Sequence, residues 1–159
     1  MSDRQFTEIH LATDHAGFEH KNEIREWLRS EGFIVTDHGA YVHHPEDDFP
    51  DFISLAAAAV SKNPNSAAII FGGSGQGEAI LANRFPRVRT AVYYGGPEEI
   101  ISLSRTHNNA NVLSIGARFV SIDEAKKAIW QWLHTEKSSQ EKYERRNKKI
   151  MHITKQIGR

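Results

Sequence analysis

The chain has 159 residues, a length typical of one domain with a substantial hydrophobic core. Its 20 Lys and Arg residues balance its 20 Asp and Glu residues, which excludes a general nucleic-acid binder with a basic surface. Its mean hydropathy is -0.54, and no apolar run approaches the ~18 residues of a membrane span. Cysteine is absent, which excludes disulfides, thiolate zinc sites and thiol catalysis. We therefore expect a cytoplasmic protein with no membrane or nucleic-acid partner.

Apolar periodicity and turn residues predict strands and helices that alternate along the chain. In chain order, the first half contains a strand at Phe6–Thr13, a turn at Asp14–Gly17, a helix at Phe18–Glu31, a strand at Phe33–Thr36, a polar loop at His38–Pro50 and a helix with an apolar stripe of Phe52, Leu55, Ala56, Ala59 and Val60. The second half contains a strand at Ala67–Phe71, a glycine-rich loop at Gly72–Gly77, a helix over Ala79–Ala82, a strand at Val88–Tyr94, a helix at Glu98–Ser104, a strand at Val112–Ile115, a helix at Asp123–Leu133 and a charged helix from about Ser139 onwards. The three tryptophans fall in helical patterns and are expected to be packing residues: Trp27, Trp130 and Trp132.

This alternation predicts a single α/β domain over residues 1–159, with a doubly wound parallel sheet between two layers of helices. In such three-layer, Rossmann-like folds, ligands bind beyond the carboxyl ends of the strands. Three segments occupy that position in the predicted order: Asp14-His15, Gly72–Glu78 and Gly116–Arg118. We expect these segments to form the functional site.

The glycine-rich loop matches none of three familiar motifs. A dinucleotide-binding loop counted from Gly73 requires a third glycine where Glu78 stands. A phosphate-binding loop requires a lysine after the last glycine, and Gly77 is followed by the same glutamate. A nucleophile elbow requires a glycine where Gln76 stands. The loop therefore calls for an interpretation from its own chemistry.

Glycines allow close approach of the backbone to a ligand, and the N–H groups at a helix start favour an anion. Ser74 adds a hydroxyl to this cradle, and Glu78 adds a carboxylate in the first helical turn. A carboxylate beside oxyanion-stabilising donors is suited to removing a proton next to a carbonyl group. The alternative is an ordinary strand-to-helix connection with an unremarkable first-turn glutamate.

Several segments together resemble ribose-5-phosphate isomerase B and its relatives, which include the galactose-6-phosphate isomerase subunits. They are Asp14-His15-Ala16-Gly17, Gly72-Gly73-Ser74-Gly75-Gln76-Gly77-Glu78, Ala82-Asn83-Arg84, Ser104-Arg105-Thr106-His107-Asn108-Asn109-Ala110-Asn111 and Gly116-Ala117-Arg118. Their order and spacing match along nearly the whole chain. The resemblance implies a doubly wound α/β/α fold and an aldose–ketose isomerase of the pentose phosphate pathway that interconverts ribose 5-phosphate and ribulose 5-phosphate through a cis-enediolate. It also implies no cofactor and no metal.

The resemblance further assigns the proton-transfer roles. Many family members use a cysteine just before the glycine-rich loop as the carbon base, and this chain has Phe71 there. Others use a glutamate at the end of the loop, which corresponds to Glu78. On this pattern Ser74 relays a proton between the neighbouring oxygens, while His107, with Asp14 as its partner, opens the furanose ring.

The substrate-binding roles implied by the resemblance fall to backbone donors and to polar or basic side chains. They are Asp14, His15, Gly73, Ser74, Gly75, Gln76, Gly77, Asn108, Arg118, Lys142 and Arg146. The family commonly has an Arg-His pair four residues before its second phosphate arginine, and this chain has Lys142-Tyr143. This departure leaves open how tightly the phosphate is bound and which sugar phosphate is the substrate, because a lysine lacks the bidentate geometry of a guanidinium group.

The resemblance also implies a homodimer, or a tetramer, whose site is shared across the interface. The charged helix at about 139–159 is expected to pack on the partner subunit. Two other functions stay open: an isomerase of a hexose or tetrose phosphate, and a nonenzymatic module that binds a phosphosugar. Retention of Glu78, Ser74, His107 and Asp14 together disfavours the module, because a binder needs no proton shuttle.

Other charged segments and histidines have a structural interpretation as well as a functional one. The run Lys142–Lys149 is read as a solvated helix and not as a nucleic-acid patch, because glutamate is interspersed with its basic residues. A loop cluster of histidines and carboxylates suggests a metal but matches no known ligand spacing: His43, His44, Glu46, Asp47 and Asp48. Five histidines are expected to be structural or exposed: His10, His20, His38, His134 and His152.

Overall fold

The protein is built on one five-stranded parallel sheet. The computed structural model describes residues 4–158. The strands are β1 (Glu8–Thr13), β2 (Val35–Asp37), β3 (Ser66–Gly72), β4 (Thr90–Tyr93) and β5 (Val112–Gly116). Their order across the sheet is β2-β1-β3-β5-β4, and every neighbouring pair is parallel. The predicted doubly wound α/β architecture is therefore confirmed.

Helices cover both faces of the sheet. They are α1 (Phe18–Ser30), α2 (Phe49–Lys62), α3 (Gln76–Ala82), α4 (Glu99–Thr106), α5 (Ile122–Leu133) and α6 (Glu141–Gln156). Alternate residues of β3 enter different cores. Ala67, Ile69 and Phe71 belong to the core that holds α1 and α5, whereas Ala68 and Ile70 belong to the core that holds α2. Burial on both faces explains why this strand is apolar throughout.

Local sequence signals account for several element boundaries. Ser121 and Glu124 form a capping box at the start of α5, in which each side chain accepts a hydrogen bond from the other residue's backbone N–H. Pro50 lies in the first turn of α2, where its missing N–H costs nothing. Helix α2 therefore includes Pro50 and begins at Phe49, so its first two residues lie inside the segment predicted as a polar loop.

Three sequence-based expectations about packing and helix extent need correction. Leu55 was expected on the buried stripe of α2 but is 51% exposed, and Trp130 was expected to pack but is 41% exposed. Trp132, by contrast, is fully buried. The last helix is shorter than predicted, since it ends at Gln156, and none of its residues is buried.

The strand order fixes the position of a ligand site. From β1 the chain passes to β2 on one side and then crosses to β3 on the other side of β1. The loops after β1 and β3 therefore diverge at this point and leave a crevice at the carboxyl edge of the sheet, where ligands bind in open α/β folds. Across residues 4–158, no helix has the length and apolar character needed to cross a membrane.

Candidate active site

The turn after β1 lies beside the end of β3. Thr13, the last residue of β1, pairs with Phe71 in the sheet, and its hydroxyl donates to the Phe71 carbonyl oxygen at 3.2 Å. Asp14 follows, is 7% exposed, and accepts a hydrogen bond from the Ala16 N–H at 2.9 Å. This bond fixes the carboxylate at the carboxyl edge of the sheet, as the sequence predicted.

The glycine-rich loop brings the Glu78 carboxylate over the end of β3. A Cβ atom on Gly72 would lie only 2.0 Å from the carboxyl carbon and one carboxyl oxygen of Glu78, so only glycine leaves room for this side chain. Glu78 is 5% exposed. Burial raises the pKa of Glu78; a hydrogen bond from its own backbone N–H opposes the rise, and the negative charge of Asp14 adds to it. The result is a buried carboxylate that is more basic than an exposed glutamate.

The end of β5 fixes the shape of this loop. Gly75 has a φ of +79° and directly precedes α3, and its carbonyl oxygen accepts a hydrogen bond from the Ser114 hydroxyl at 2.6 Å. The backbone N–H groups of Ala117 and Arg118 donate to the carbonyl oxygens of Gly72 and Gly73 at 2.8 and 3.1 Å. These bonds hold the loop against the turn after β5.

The same turn places a guanidinium group at the loop. A Cβ atom on Gly73 would lie 3.1 Å from Nη1 of Arg118. Arg118 is exposed, and its guanidinium has no hydrogen-bond or carboxylate partner within residues 4–158. Ser74 lies at the same place, and its hydroxyl oxygen accepts a long hydrogen bond of 3.4 Å from the Gln76 N–H. A free cation, a hydroxyl and a buried carboxylate thus surround one crevice.

His15 is held by a residue that the sequence did not indicate as a site residue. Its Nδ1 atom and its backbone N–H lie 2.7 and 3.0 Å from Oδ1 of Asp47, whose side chain is 10% exposed. The hydrogen bond at Nδ1 leaves Nε2 of the ring as the atom available to a ligand. No spacing rule could identify this pair, because Asp47 lies 32 residues away in the loop before α2.

One group of side chains in the crevice could hold a metal ion. Ligand atoms of Asp14, His15 and Asp47 lie within 4.8 Å of one another. However, Oδ1 of Asp14 already accepts the Ala16 N–H, and Nδ1 of His15 is bonded to Asp47. Of the five residues in the predicted loop cluster, only Asp47 belongs to this group.

The remaining predicted site residues form a second cluster. His107 caps the end of α4, and its ring stacks on that of Tyr143 with centroids 4.1 Å apart and planes 15° from parallel. Lys142 and Arg146 flank the same phenol ring, with their charged groups 4.9 and 5.9 Å from its centroid. Asn108 follows His107 and is exposed.

A single chain does not bring the two clusters together. His107 and Asn108 lie just before β5, whereas Arg118 and the glycine-rich loop lie at its other end. The five residues of β5 span roughly 16 Å at about 3.3 Å per residue. The His107 cluster therefore lies at the amino ends of the parallel strands, and the Glu78 crevice lies at their carboxyl ends.

An apolar groove runs between α6 and the β4 side of the domain. Its volume is about 710 Å³, and its lining includes Val88, Ala91, Ile150 and Met151 as well as Asn108. Together with the absence of buried residues in α6, this groove leaves apolar surface exposed beside the His107 cluster.

A family model described as ribose/galactose isomerase matches residues 9–150. The chain belongs to this family. It is 37% identical over 138 residues to the protein named ribose-5-phosphate isomerase B of Mycolicibacterium paratuberculosis. The aligned residues cover 87% of this chain and 86% of the relative. It is also 37% identical over 125 residues to the Escherichia coli protein of the same name, covering 79% and 82% of the two chains.

Solved structures of family members have the same fold. Ribose-5-phosphate isomerase B of Mycoplasma genitalium, solved with bound ribulose-5-phosphate, aligns with a TM-score of 0.88 and 34% identity, covering 93% of this chain and 96% of that one. The Clostridium thermocellum protein aligns with a TM-score of 0.88 and 33% identity, covering 95% and 99%. The predicted family, fold class and isomerase activity are confirmed by these matches. The individual residue roles stay predictions.

Proposed function

We propose that this chain interconverts ribose 5-phosphate and ribulose 5-phosphate through a cis-enediolate, with Glu78 as the carbon base. The observation that carries the proposal is the buried Glu78 carboxylate over Gly72, in a crevice that also holds Ser74 and the free guanidinium of Arg118. The relatives named ribose-5-phosphate isomerase B, one of them solved with ribulose-5-phosphate, support this choice of substrate.

The chemistry follows from this arrangement. Glu78 removes a proton from one carbon and returns it to the neighbouring carbon, and its raised pKa makes it a better base for this task. In the first turn of α3, the Gln76 N–H makes only the long bond to Ser74 and the Gly77 N–H has no acceptor within residues 4–158, so both are available to the enediolate oxygens. Ser74 passes the proton between those oxygens.

The phosphate group and the sugar ring require residues from both clusters. Arg118 and His15 lie at the Glu78 crevice, whereas Asn108, Lys142 and Arg146 lie with His107 at the opposite edge of the sheet. A homodimer completes the site when the His107 cluster of one subunit faces the glycine-rich loop of the other. The exposed apolar groove and the unburied helix α6 support such an interface. The choice between dimer and tetramer, and a cytoplasmic location, stay predictions.

The first test is Glu78→Gln, which preserves shape but removes the basic lone pairs. General-base catalysis contributes roughly 10²–10⁴-fold, so kcat should fall by about that factor. Affinity for a phosphorylated enediolate analogue should change far less, because Arg118 and the loop remain. In D₂O the wild-type enzyme should exchange deuterium into the substrate and the variant should not. A variant with near-normal kcat would exclude Glu78 as the base.

Subunit complementation tests the shared site. His107→Ala and Glu78→Gln protomers should each be nearly inactive, and mixing them should restore activity, since a mixed dimer contains one intact site. A mixture that stays inactive despite proven subunit exchange would place each site within one chain.

A second candidate is an isomerase of a hexose or tetrose phosphate, which the Lys142-Tyr143 departure leaves open. Coupled assays across four-, five- and six-carbon aldose phosphates separate the two. The proposal requires the highest kcat/KM with ribose 5-phosphate.

A further inference from the structure

We propose that Tyr143 is a positioning residue for the His107 imidazole in the ring-opening step. This inference rests on the proposed function, because it assumes that His107 serves a cyclic sugar phosphate. The observation that carries it is the stack of the two rings, whose centroids lie 4.1 Å apart and whose planes are 15° from parallel.

The stack restrains the His107 ring. Within the described residues, 4–158, neither ring nitrogen of His107 has a hydrogen-bond partner. The backbone of His107 is fixed by two bonds: its N–H donates to Leu103, and its carbonyl oxygen accepts from Nδ2 of Asn147 at 3.1 Å. The stack on Tyr143 therefore restricts rotation of the ring about its side-chain bonds, and no hydrogen bond of the ring does so within residues 4–158.

The surroundings of Tyr143 keep its ring in place. Helix α6 contacts His107 at two points one turn apart, through the Tyr143 ring and the Asn147 amide. Lys142 and Arg146 lie against the same phenol ring, where a cation is attracted to the aromatic electrons. These contacts hold the phenol ring that stacks on the imidazole.

Ring opening depends on the direction in which the imidazole points. The C1–O4 bond breaks, O4 takes a proton from the imidazole, and the O1 hydroxyl gives its proton to Asp14 as C1=O1 forms. The imidazole N–H must point at O4 for this transfer. Proton transfer between carbons at Glu78 needs no such contact, because it acts on the open chain.

Two substrates separate these steps. Ribose 5-phosphate is mainly a furanose and must be opened. Ribulose 5-phosphate cannot close through its phosphorylated O5 and enters as an open chain, so exchange of its C1 hydrogen with D₂O requires only the Glu78 step. The ratio of ribose 5-phosphate turnover to this exchange measures ring opening alone.

The test variants are Tyr143→Leu, which removes the aromatic face, and Tyr143→Phe and Tyr143→His, which retain one. In Tyr143→Leu, kcat with ribose 5-phosphate should fall roughly ten- to a hundredfold, while deuterium exchange into ribulose 5-phosphate stays within about threefold of wild type. The two aromatic variants should restore turnover. Trp130→Leu is the matched control, because Trp130 stands over His134 at the same 4.1 Å separation but belongs to neither cluster.

NMR of the His107 ring protons provides a readout independent of activity. The phenol ring current should shift these resonances upfield in the wild type and in Tyr143→Phe, and the shift should vanish in Tyr143→Leu. If turnover and exchange fall together in Tyr143→Leu, or if neither falls, Tyr143 has no positioning role. Absence of exchange in the wild type would instead overturn the proposed function.

Discussion

Gly72→Ala tests whether the position of the Glu78 carboxylate controls catalysis. The added Cβ atom would lie 2.0 Å from that carboxylate, whereas ordinary carbon contacts are about 3.5–4 Å. The carboxylate must therefore move by roughly 1.5 Å. A misplacement of about 1 Å can cost roughly a hundredfold in rate. We expect kcat to fall by about that factor, which corresponds to ~2.7 kcal/mol of transition-state stabilisation.

The stability of this variant should change little, because the clash falls on the flexible end of a side chain. Gly17→Ala is the contrasting control. Its Cβ atom would lie 2.4 Å from Cβ of Phe71 and 2.5 Å from the Thr13 hydroxyl, which are core atoms that cannot swing away. Overpacking of this kind costs about 1–3 kcal/mol. Thermal unfolding should therefore detect the second variant but hardly the first.

The assay is steady-state kcat and KM with ribose 5-phosphate, performed on a double-mutant cycle. If Gly72→Ala acts by displacing the base, it should have almost no further effect in a Glu78→Gln background. A Gly72→Ala variant that retains kcat within about threefold would refute the reasoning. Losses that multiply in the double variant would refute it equally, because they would show an effect independent of Glu78.

Four further predictions concern charge, pH and metals. The acid limb of the kcat/KM profile should lie above the ordinary glutamate pKa of ~4.3, and Asp14→Asn should move that limb to lower pH, because it removes a negative charge that raises the pKa of Glu78. Since folding raises this pKa, ionised Glu78 destabilises the folded protein at neutral pH; Glu78→Gln should raise the Tm at pH 7, with a smaller difference near pH ~4. Arg118→Ala should weaken binding of a phosphorylated sugar by roughly ten- to a hundredfold, measured by calorimetry, and an unchanged affinity would exclude it as a phosphate ligand. Activity should survive EDTA, despite three potential ligands in the crevice, and recovery of lost activity on adding zinc or magnesium would contradict the metal-free mechanism.

The sequence by itself determined the fold class and supplied most of the residues proposed for the site. Apolar runs such as Ala67–Phe71 are local properties, and a strand buried on both faces must be apolar throughout. The residues around Glu78 lie in short, contiguous motifs, so their chemistry could be recognised before their positions were known.

Only the tertiary structure decided which distant residues meet. The strand order, and hence the crevice between the loops after β1 and β3, depends on which strands pair. The pairs Asp47–His15 and Tyr143–His107 join residues 32 and 36 positions apart, and no periodicity connects them. Trp130 shows the same limit, because its exposure depends on what packs beside α5 and not on its hydrophobicity. Local patterns specify elements, whereas contacts between elements depend on how all of them pack together.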